Sequence, residues 1–236
     1  MTEHRNTEHR NGEEWIESPT VSGPSQEDRH AKREFITAYF EDLDKKIAFL
    51  VDLAQGGHGD EAWLLCLVYI DGLANWLNLP EKKSAKNFTR ALVEHGGNDL
   101  FSIVLPNWLV KALPLGSAPK GLEAALTTSI AAFPANEAFL PTELLTRVRA
   151  GLSPALLTWL EREVWRGTIA HAVYASLRSP GVHYAGVSHG LSFSQSTFRG
   201  QPIPRVDFGN LYPALISLAA HAWEVSERTG QWFGVV

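Results

Sequence analysis

The stretch from Glu163 to Leu177, EVWRGTIAHAVYASL, decides how the fold is interpreted. It comes shortly after Ser153-Pro154, a cap residue followed by a proline at the first helical position. It ends just before the helix-breaking residues 179–181, Ser-Pro-Gly. The pattern therefore predicts one continuous helix from Ser153 to about Leu177.

Arg166 and His171 are the two residues of this stretch that could carry chemistry. On an ideal helix they point roughly 140° apart and are separated by about 7.5 Å along the axis. His171 continues an apolar stripe and is expected to face inward, whereas Arg166 flanks that face. Two interpretations stay open: His171 is a buried, hydrogen-bonded imidazole with Arg166 paired to Glu163 or Glu161, or the two residues form a reactive site.

Composition limits the classes of function. The chain has 236 residues, 44% of them hydrophobic and eight of them Trp, which is ample for a packed core. A formal net charge of −5 and a pI near 6.0 argue against a long basic surface but leave room for a local phosphate site. The single cysteine, Cys66, lies in an apolar run and is expected to fill the core. Because no apolar run is long enough to cross a bilayer and no leader is evident, we expect a cytoplasmic protein without membrane contact.

Organisation along the chain predicts a polar tail and one mainly helical domain. Residues 1–24 contain the pentapeptide Thr-Glu-His-Arg-Asn twice and predict a disordered tail. Residues 25–236 show neither a composition break nor a further repeat, which predicts a single domain. Besides the helix above, apolar periodicity predicts helices over 25–55, 61–77, 84–94, 121–133 and 211–229.

A β-hairpin is predicted between the last two helices. Its strands would be Gly190 to Ser194 and Pro202 to Phe208, joined by a loop rich in Gly and polar residues. Asn210 is expected to cap the closing helix.

The run WRGTIAHA, the hairpin after it and the capped closing helix together resemble the HEPN family, which includes ribonuclease toxins and defence nucleases. The resemblance implies a HEPN-like helical bundle with a small β-hairpin between the motif helix and the C-terminal helix. It also implies a metal-independent endoribonuclease without cofactors, of the kind that acts as a toxin or antiviral defence effector with an antitoxin or other partner protein. By the same resemblance, Arg166 and His171 of both chains of a homodimer would line one cleft that binds RNA.

The residue types suit that chemistry. RNA supplies its own nucleophile, the 2′-hydroxyl, so a protein that moves a proton and stabilises the phosphorane needs no metal. Histidine titrates near neutral pH and can transfer the proton, while arginine stays charged and binds two phosphate oxygens.

Asp71 and Gly167 are compared with the family pattern. Family members often carry an acidic residue on an early helix facing the motif, and Asp71 in LVYIDGLANW matches it. The resemblance therefore implies that Asp71 is a third catalytic residue beside Arg166 and His171, and a pairing of Asp71 with Arg166 would fit either interpretation. Many active members have a polar residue directly after the arginine, where this chain has Gly167. That departure favours an alternative, a non-catalytic HEPN-like module that binds RNA, a nucleotide or a partner protein. A third hypothesis is a purely structural helical dimer.

Other groups of residues carry weaker signals. His183 and His189 could supply two metal ligands, but no carboxylate pair at ligand spacing accompanies them, so no metal site is predicted. His221 is expected to pack within the last helix. The residues near the hairpin either stack bases or cover the hairpin core: Phe193, Phe198, Arg199, Arg205, Phe208 and Tyr212.

Overall fold

The structure is a computed structural model, which describes residues 26–78, 84–134, 136–177 and 190–231. The chain is mainly helical, as the sequence predicts, and it contains a small three-stranded sheet. The α-helices are α1 (Gln26–Gln55), α2 (Gly59–Leu77), α3 (Ser84–His95), α4 (Pro106–Ala112), α5 (Leu122–Ala131), α6 (Pro141–Val148), α7 (Pro154–Glu163), α8 (Ile169–Leu177) and α9 (Phe208–Thr229). Short 3₁₀ turns cover Asp99–Ser102, Leu115–Ser117, Arg149–Gly151 and Val164–Gly167.

The apolar side chains form two cores. The first core is built by α1, α2, α3, α8 and α9, and its largest fully buried side chains include Trp63, Phe40 and Phe88. α2 packs against α1, α3 and α9 and is buried on several sides, as its apolar residues predict. Cys66 lies fully inside this core, where burial raises the pKa of its thiol to about 12. The prediction that Cys66 fills the core is confirmed.

The second core is built by α4, α5, α6 and α7. Its fully buried members include Leu109, Leu122, Leu126 and Leu144. Val164, at the start of the 3₁₀ turn after α7, still belongs to it, whereas Ile169 at the start of α8 belongs to the first core. The stretch from Glu163 to Leu177 therefore passes from one core into the other.

An extended segment, residues 103–105, lies between the two cores and is called the crossing segment here. The side chain of Val104 faces the second core, whereas those of Ile103 and Leu105 face the first. Val104 exchanges two backbone hydrogen bonds with Phe139, of 2.7 and 3.1 Å. On its other edge the segment accepts from the amide of Ile169 and donates to the carbonyl of Gly167, both at 2.9 Å. The alternation of faces is that of a strand.

The prediction of one helix from Ser153 to Leu177 is wrong. α7 ends at Glu163, a 3₁₀ turn follows, and Thr168 is extended with φ −71° and ψ 156°. Helical hydrogen bonding stops here because the backbone of 167–169 pairs with the crossing segment instead. Thr168 then starts α8, since its Oγ1 accepts from the amide of His171 at 3.2 Å.

Five of the remaining helices, α1, α2, α3, α5 and α9, agree with the predicted ones within a few residues, whereas α4 and α6 had no predicted bounds. α1 ends before Gly56-Gly57 as expected, and Gly57 has φ +90°. α2 begins two residues earlier than predicted, at Gly59, so Asp60 lies inside the helix and does not cap it. α9 begins at Phe208 and is capped by Asp207, not by Asn210.

The predicted hairpin is present with shorter, shifted strands. β2 (Thr197–Phe198) pairs antiparallel with β3 (Gln201–Pro202), inside the part predicted to be the loop. Nearer its base, Leu191 and Val206 exchange two backbone hydrogen bonds of 2.8 Å, which joins the two segments predicted as strands. A third strand, β1 (Glu137–Ala138), pairs in parallel with β2 and was not predicted.

The cap of α9 gives a first testable prediction. The Asp207 carboxylate accepts from the amide of Gly209 at 2.9 Å and carries its charge at the helix N-terminus. We expect Asp207→Ala to lower the free energy of unfolding by about 1 kcal/mol, measured by urea denaturation. Asp207→Ser keeps a capping oxygen and should recover most of that loss. Equal stability of the alanine and serine variants would contradict a capping role.

Candidate functional site

Arg166 and His171 lie where the two cores meet. Because the helix is broken, Arg166 stands on the 3₁₀ turn Val164–Gly167 and His171 on the first turns of α8. The ideal-helix geometry expected for the pair therefore does not apply. The guanidinium nevertheless lies near enough to the imidazole for its charge to lower the pKa of His171.

His171 is enclosed by two tryptophans. The residue is only 8% exposed, which confirms that it faces inward. The indole Nε1–H of Trp108 donates to Nδ1 of His171 over 3.4 Å, a long hydrogen bond. The Trp165 ring meets the imidazole edge to face, with ring centroids 5.2 Å apart. Since Nδ1 accepts, the neutral ring carries its proton on Nε2, an assignment made from the hydrogen bond.

The environment keeps His171 neutral. Burial lowers its pKa, the positive charge of Arg166 lowers it further, and a hydrogen bond at the Arg166 backbone opposes both effects. The resulting pKa is about 4. At neutral pH the imidazole is therefore uncharged and a weak base.

Arg166 already has partners for its charge. Its Nε donates to Oε2 of Glu163 over 2.6 Å, and its guanidinium carbon lies 4.5 Å from the centre of the Trp165 ring. The two charged side chains are about a quarter exposed, 27% for Arg166 and 25% for Glu163. This pairing confirms the interpretation in which Arg166 binds Glu163 three positions earlier.

Gly167 packs directly against the crossing segment and α4. A Cβ atom added at this position would lie 2.7 Å from a side-chain carbon of Val104 and 2.7 Å from Cβ of Leu109. Such distances are not tolerated without movement, so no side chain fits. The polar residue that many active HEPN nucleases carry after the arginine is therefore excluded by packing in this chain.

Asp71 lies on α2 and is half-buried. The contacts of Arg166 and His171 within 26–78, 84–134, 136–177 and 190–231 are made with Glu163, Trp165, Trp108 and Thr168. Arg166 thus pairs with Glu163 and not with Asp71. The assignment of Asp71 as a catalytic residue stays a prediction.

Two residues of this site, Trp108 and Thr168, were not predicted from the sequence. Trp108 comes from α4, 63 positions before His171, and no local pattern connects the two. Thr168 had a signal, because a threonine after a glycine is a common helix start. Its hydroxyl also donates to the Trp165 carbonyl at 2.7 Å and so fixes the turn.

Most of the other residues considered in the sequence analysis pack against neighbouring side chains. His183 and His189 lie outside the described residues. His221 stacks on His95 of α3, with ring centroids 3.8 Å apart and planes 13° apart, which confirms a packing role. The pKa of His95 is lowered by burial and then by His221. Four aromatic side chains near the hairpin pack on the first core: Phe193, Phe198, Phe208 and Tyr212.

The two arginines near the hairpin also contact the protein itself. Arg199 donates to Glu143 over 3.0 Å and lies over the Phe198 ring at 4.9 Å. Arg205 donates to the Gly190 carbonyl over 3.4 Å. The interpretation in which this cluster covers the hairpin core is the one the contacts support.

No family model matches the chain, and searches of curated proteins and of solved structures likewise found no match. Across the described helices, none is both long and apolar enough to span a bilayer. Within the same residues, no three His, Cys, Asp or Glu side chains are grouped as metal ligands would be.

Proposed function

We propose that this protein is a non-catalytic, HEPN-like helical module that binds RNA, a nucleotide or a partner protein. The observation that carries the proposal is the enclosure of His171 between Trp108 and Trp165, at 8% exposure. A residue that exchanges protons with a substrate must come within hydrogen-bonding distance of it. Here Nδ1 is occupied by an indole N–H, and the ring edge is covered.

The charge state of His171 supports the same conclusion. With a pKa of about 4, roughly one imidazole in a thousand is protonated at pH 7. Cleavage of RNA by this chemistry needs a proton donor for the leaving oxygen as well as a base. Arg166 is likewise committed to Glu163 and Trp165. Arg166, His171 and the two tryptophans thus have a structural role, because their contacts hold the turn between α7 and α8 against α4.

A second candidate is the metal-independent endoribonuclease, a toxin or antiviral defence effector. It is favoured by one observation, the proximity of a guanidinium to an imidazole that is neutral and can accept a proton. In a homodimer two such pairs would face one RNA-binding cleft. Catalytic hydrogen bonds are often incomplete before substrate binds, so a displacement of Trp108 would open the imidazole.

RNA cleavage distinguishes the two candidates. We expect the purified wild-type protein to leave a mixed single-stranded RNA intact in buffer with EDTA, followed by gel electrophoresis and by detection of 2′,3′-cyclic phosphate ends. A protein that cleaves this RNA is not a non-catalytic module.

A matched pair of variants locates the chemistry if cleavage is seen. The sequence repeats the spacing of Arg166 and His171 at Arg178 and His183, which lie outside the described residues. Cleavage lost in His171→Gln and kept in His183→Gln would assign the reaction to the buried cluster. The reverse result would assign it to the second spacing. Circular dichroism of both variants confirms that they are folded.

A further inference from the structure

A groove separate from the Arg166 and His171 cluster opens between α4 and α5. It has a volume of about 570 Å³, and Phe133, Pro134, Asn136 and Glu137 also line it. That volume is in the range of sites that bind small molecules. The face of α4 that lines the groove carries Asn107 and, one helical turn later, Val110 and Lys111. Trp108 of the same helix contacts His171.

The floor of the groove is apolar and fixed in place. Val110, Ile130 and Phe133 are half-buried and pack against the second core. Phe133 meets Phe139 edge to face at 5.1 Å, and the guanidinium of Arg147 lies over both rings. Asn136 is hydrogen-bonded to the sheet, because the amide of Thr197 donates to the Asn136 carbonyl at 3.0 Å. The groove is thus largely pre-formed, which lowers the entropy lost when a ligand binds.

Two opposite charges share the groove without neutralising each other. Lys111 stands on α4 and Glu137 on β1, and both line the groove. Within the described part of the chain neither forms an ion pair, with the other or with a third residue. The groove therefore offers one ammonium and one carboxylate among apolar and polar lining residues, with a formal charge of zero.

Further polar groups surround the two charges. The amides of Asn107 and Asn136 and the hydroxyl of Thr127 line the same groove. Among the residues that the structure describes, these three side chains have no hydrogen-bond partner. Asn136 has φ +62°, a left-handed conformation in which asparagine is common and which displays its side chain at the end of the groove.

We propose that this groove binds a small zwitterionic molecule with an apolar body, in the class of short peptides that have a free amino and a free carboxyl end. The carboxylate of the ligand would bind Lys111, its ammonium Glu137, and its apolar body the floor formed by Val110, Ile130 and Phe133. The charge balance selects against a nucleotide, because a phosphate dianion would find one cation and would be repelled by Glu137. This assignment is independent of whether the protein cleaves RNA.

The test uses calorimetric titration of the full chain with the dipeptide Leu-Phe. We expect saturable binding to the wild type and at least about tenfold weaker binding of N-acetyl-Leu-Phe and of Leu-Phe amide. Two variants assign the loss of affinity of each modified dipeptide to one residue of the groove. In Lys111→Met the amide and the free acid should bind equally, and in Glu137→Gln the acetylated and the free dipeptide should bind equally. Lys120→Met and Glu123→Gln change exposed charges near α5 outside the groove and should bind as the wild type does.

Three results would overturn the proposal. One is the absence of saturable binding of Leu-Phe at millimolar concentration. Another is an equal loss of affinity for Leu-Phe in the control variants, which would show that binding depends on the net charge of the protein and not on Lys111 and Glu137. The third is tighter binding of adenosine monophosphate than of the dipeptide, which would identify a nucleotide site. None of these outcomes depends on the RNA cleavage assay, so a failure of one proposal is separable from a failure of the other.

Discussion

Gly167→Ala is expected to destabilise the protein by about 1–3 kcal/mol, and Gly167→Asn by more. The added Cβ atom would lie 2.7 Å from carbons of both Val104 and Leu109. Neither neighbour can move away easily, since Leu109 is met at its Cβ and Val104 at a methyl group of a stiff, fully buried side chain. The relief of the clash would therefore separate the turn Val164–Gly167 from α4. Urea denaturation followed by circular dichroism measures the change.

Gly59→Ala is the matched control for this substitution. Gly59 begins α2, and a Cβ atom added there meets nothing within 4 Å. Alanine also has the higher helix propensity, so the variant should be as stable as the wild type or slightly more stable. If Gly167→Ala proved as stable as Gly59→Ala, the close packing of the turn against α4 would be contradicted.

Acidification is expected to destabilise the protein through His171 by about 2–3 kcal/mol between pH 6.5 and pH 4. The folded state lowers the pKa of this imidazole to about 4, from 6.5 in the unfolded chain. In that pH range the unfolded chain binds a proton that the folded protein does not, so stability falls as the pH falls. The contribution is fully present above pH 6.5, and it is lost once the pH has fallen through the folded value near 4.

His171→Gln separates this effect from other titrations. Glutamine offers an acceptor for the Trp108 indole but does not titrate, so the variant should show a smaller difference in unfolding free energy between pH 7 and pH 4.5. Some dependence will remain, because burial also lowers the pKa of His95. His30→Gln, at a side chain that is 76% exposed, controls for the loss of any histidine. Parallel pH profiles for the wild type and His171→Gln would rule out the buried neutral imidazole.

Local patterns predicted most of the helices but not the break that positions the site. α1 and α9 stand out because apolar residues recur at three- and four-residue spacing between clear stop signals. The same spacing continues through Leu160, Val164 and Gly167, so periodicity alone favoured one helix there. The break depends on hydrogen bonds with the crossing segment, some sixty residues earlier in the chain. A hydrogen-bond partner that lies so far away in the chain cannot be recognised from the residues around the break.

The site was predictable in its residues and only partly in its surroundings. The pairing of Arg166 with Glu163 follows from their three-residue spacing. His171 is buried as predicted, although the apolar stripe used to predict it is interrupted at Thr168. The contact with Trp108 is tertiary, and it is this contact that occupies Nδ1. The reason for a glycine at position 167 is also a tertiary contact. Val104 and Leu109 pack so closely against it that a Cβ atom would clash, which the local sequence does not reveal.

The crossing segment has a consequence for how the protein unfolds. Its residues alternate between the two cores, and its backbone is hydrogen-bonded on both edges, to Phe139 on one side and to Gly167 and Ile169 on the other. Loss of either core would remove half of the burial of the segment and expose backbone groups that the other core relies on. We therefore expect the two cores to unfold as one cooperative unit, although the helices around each of them are largely distinct.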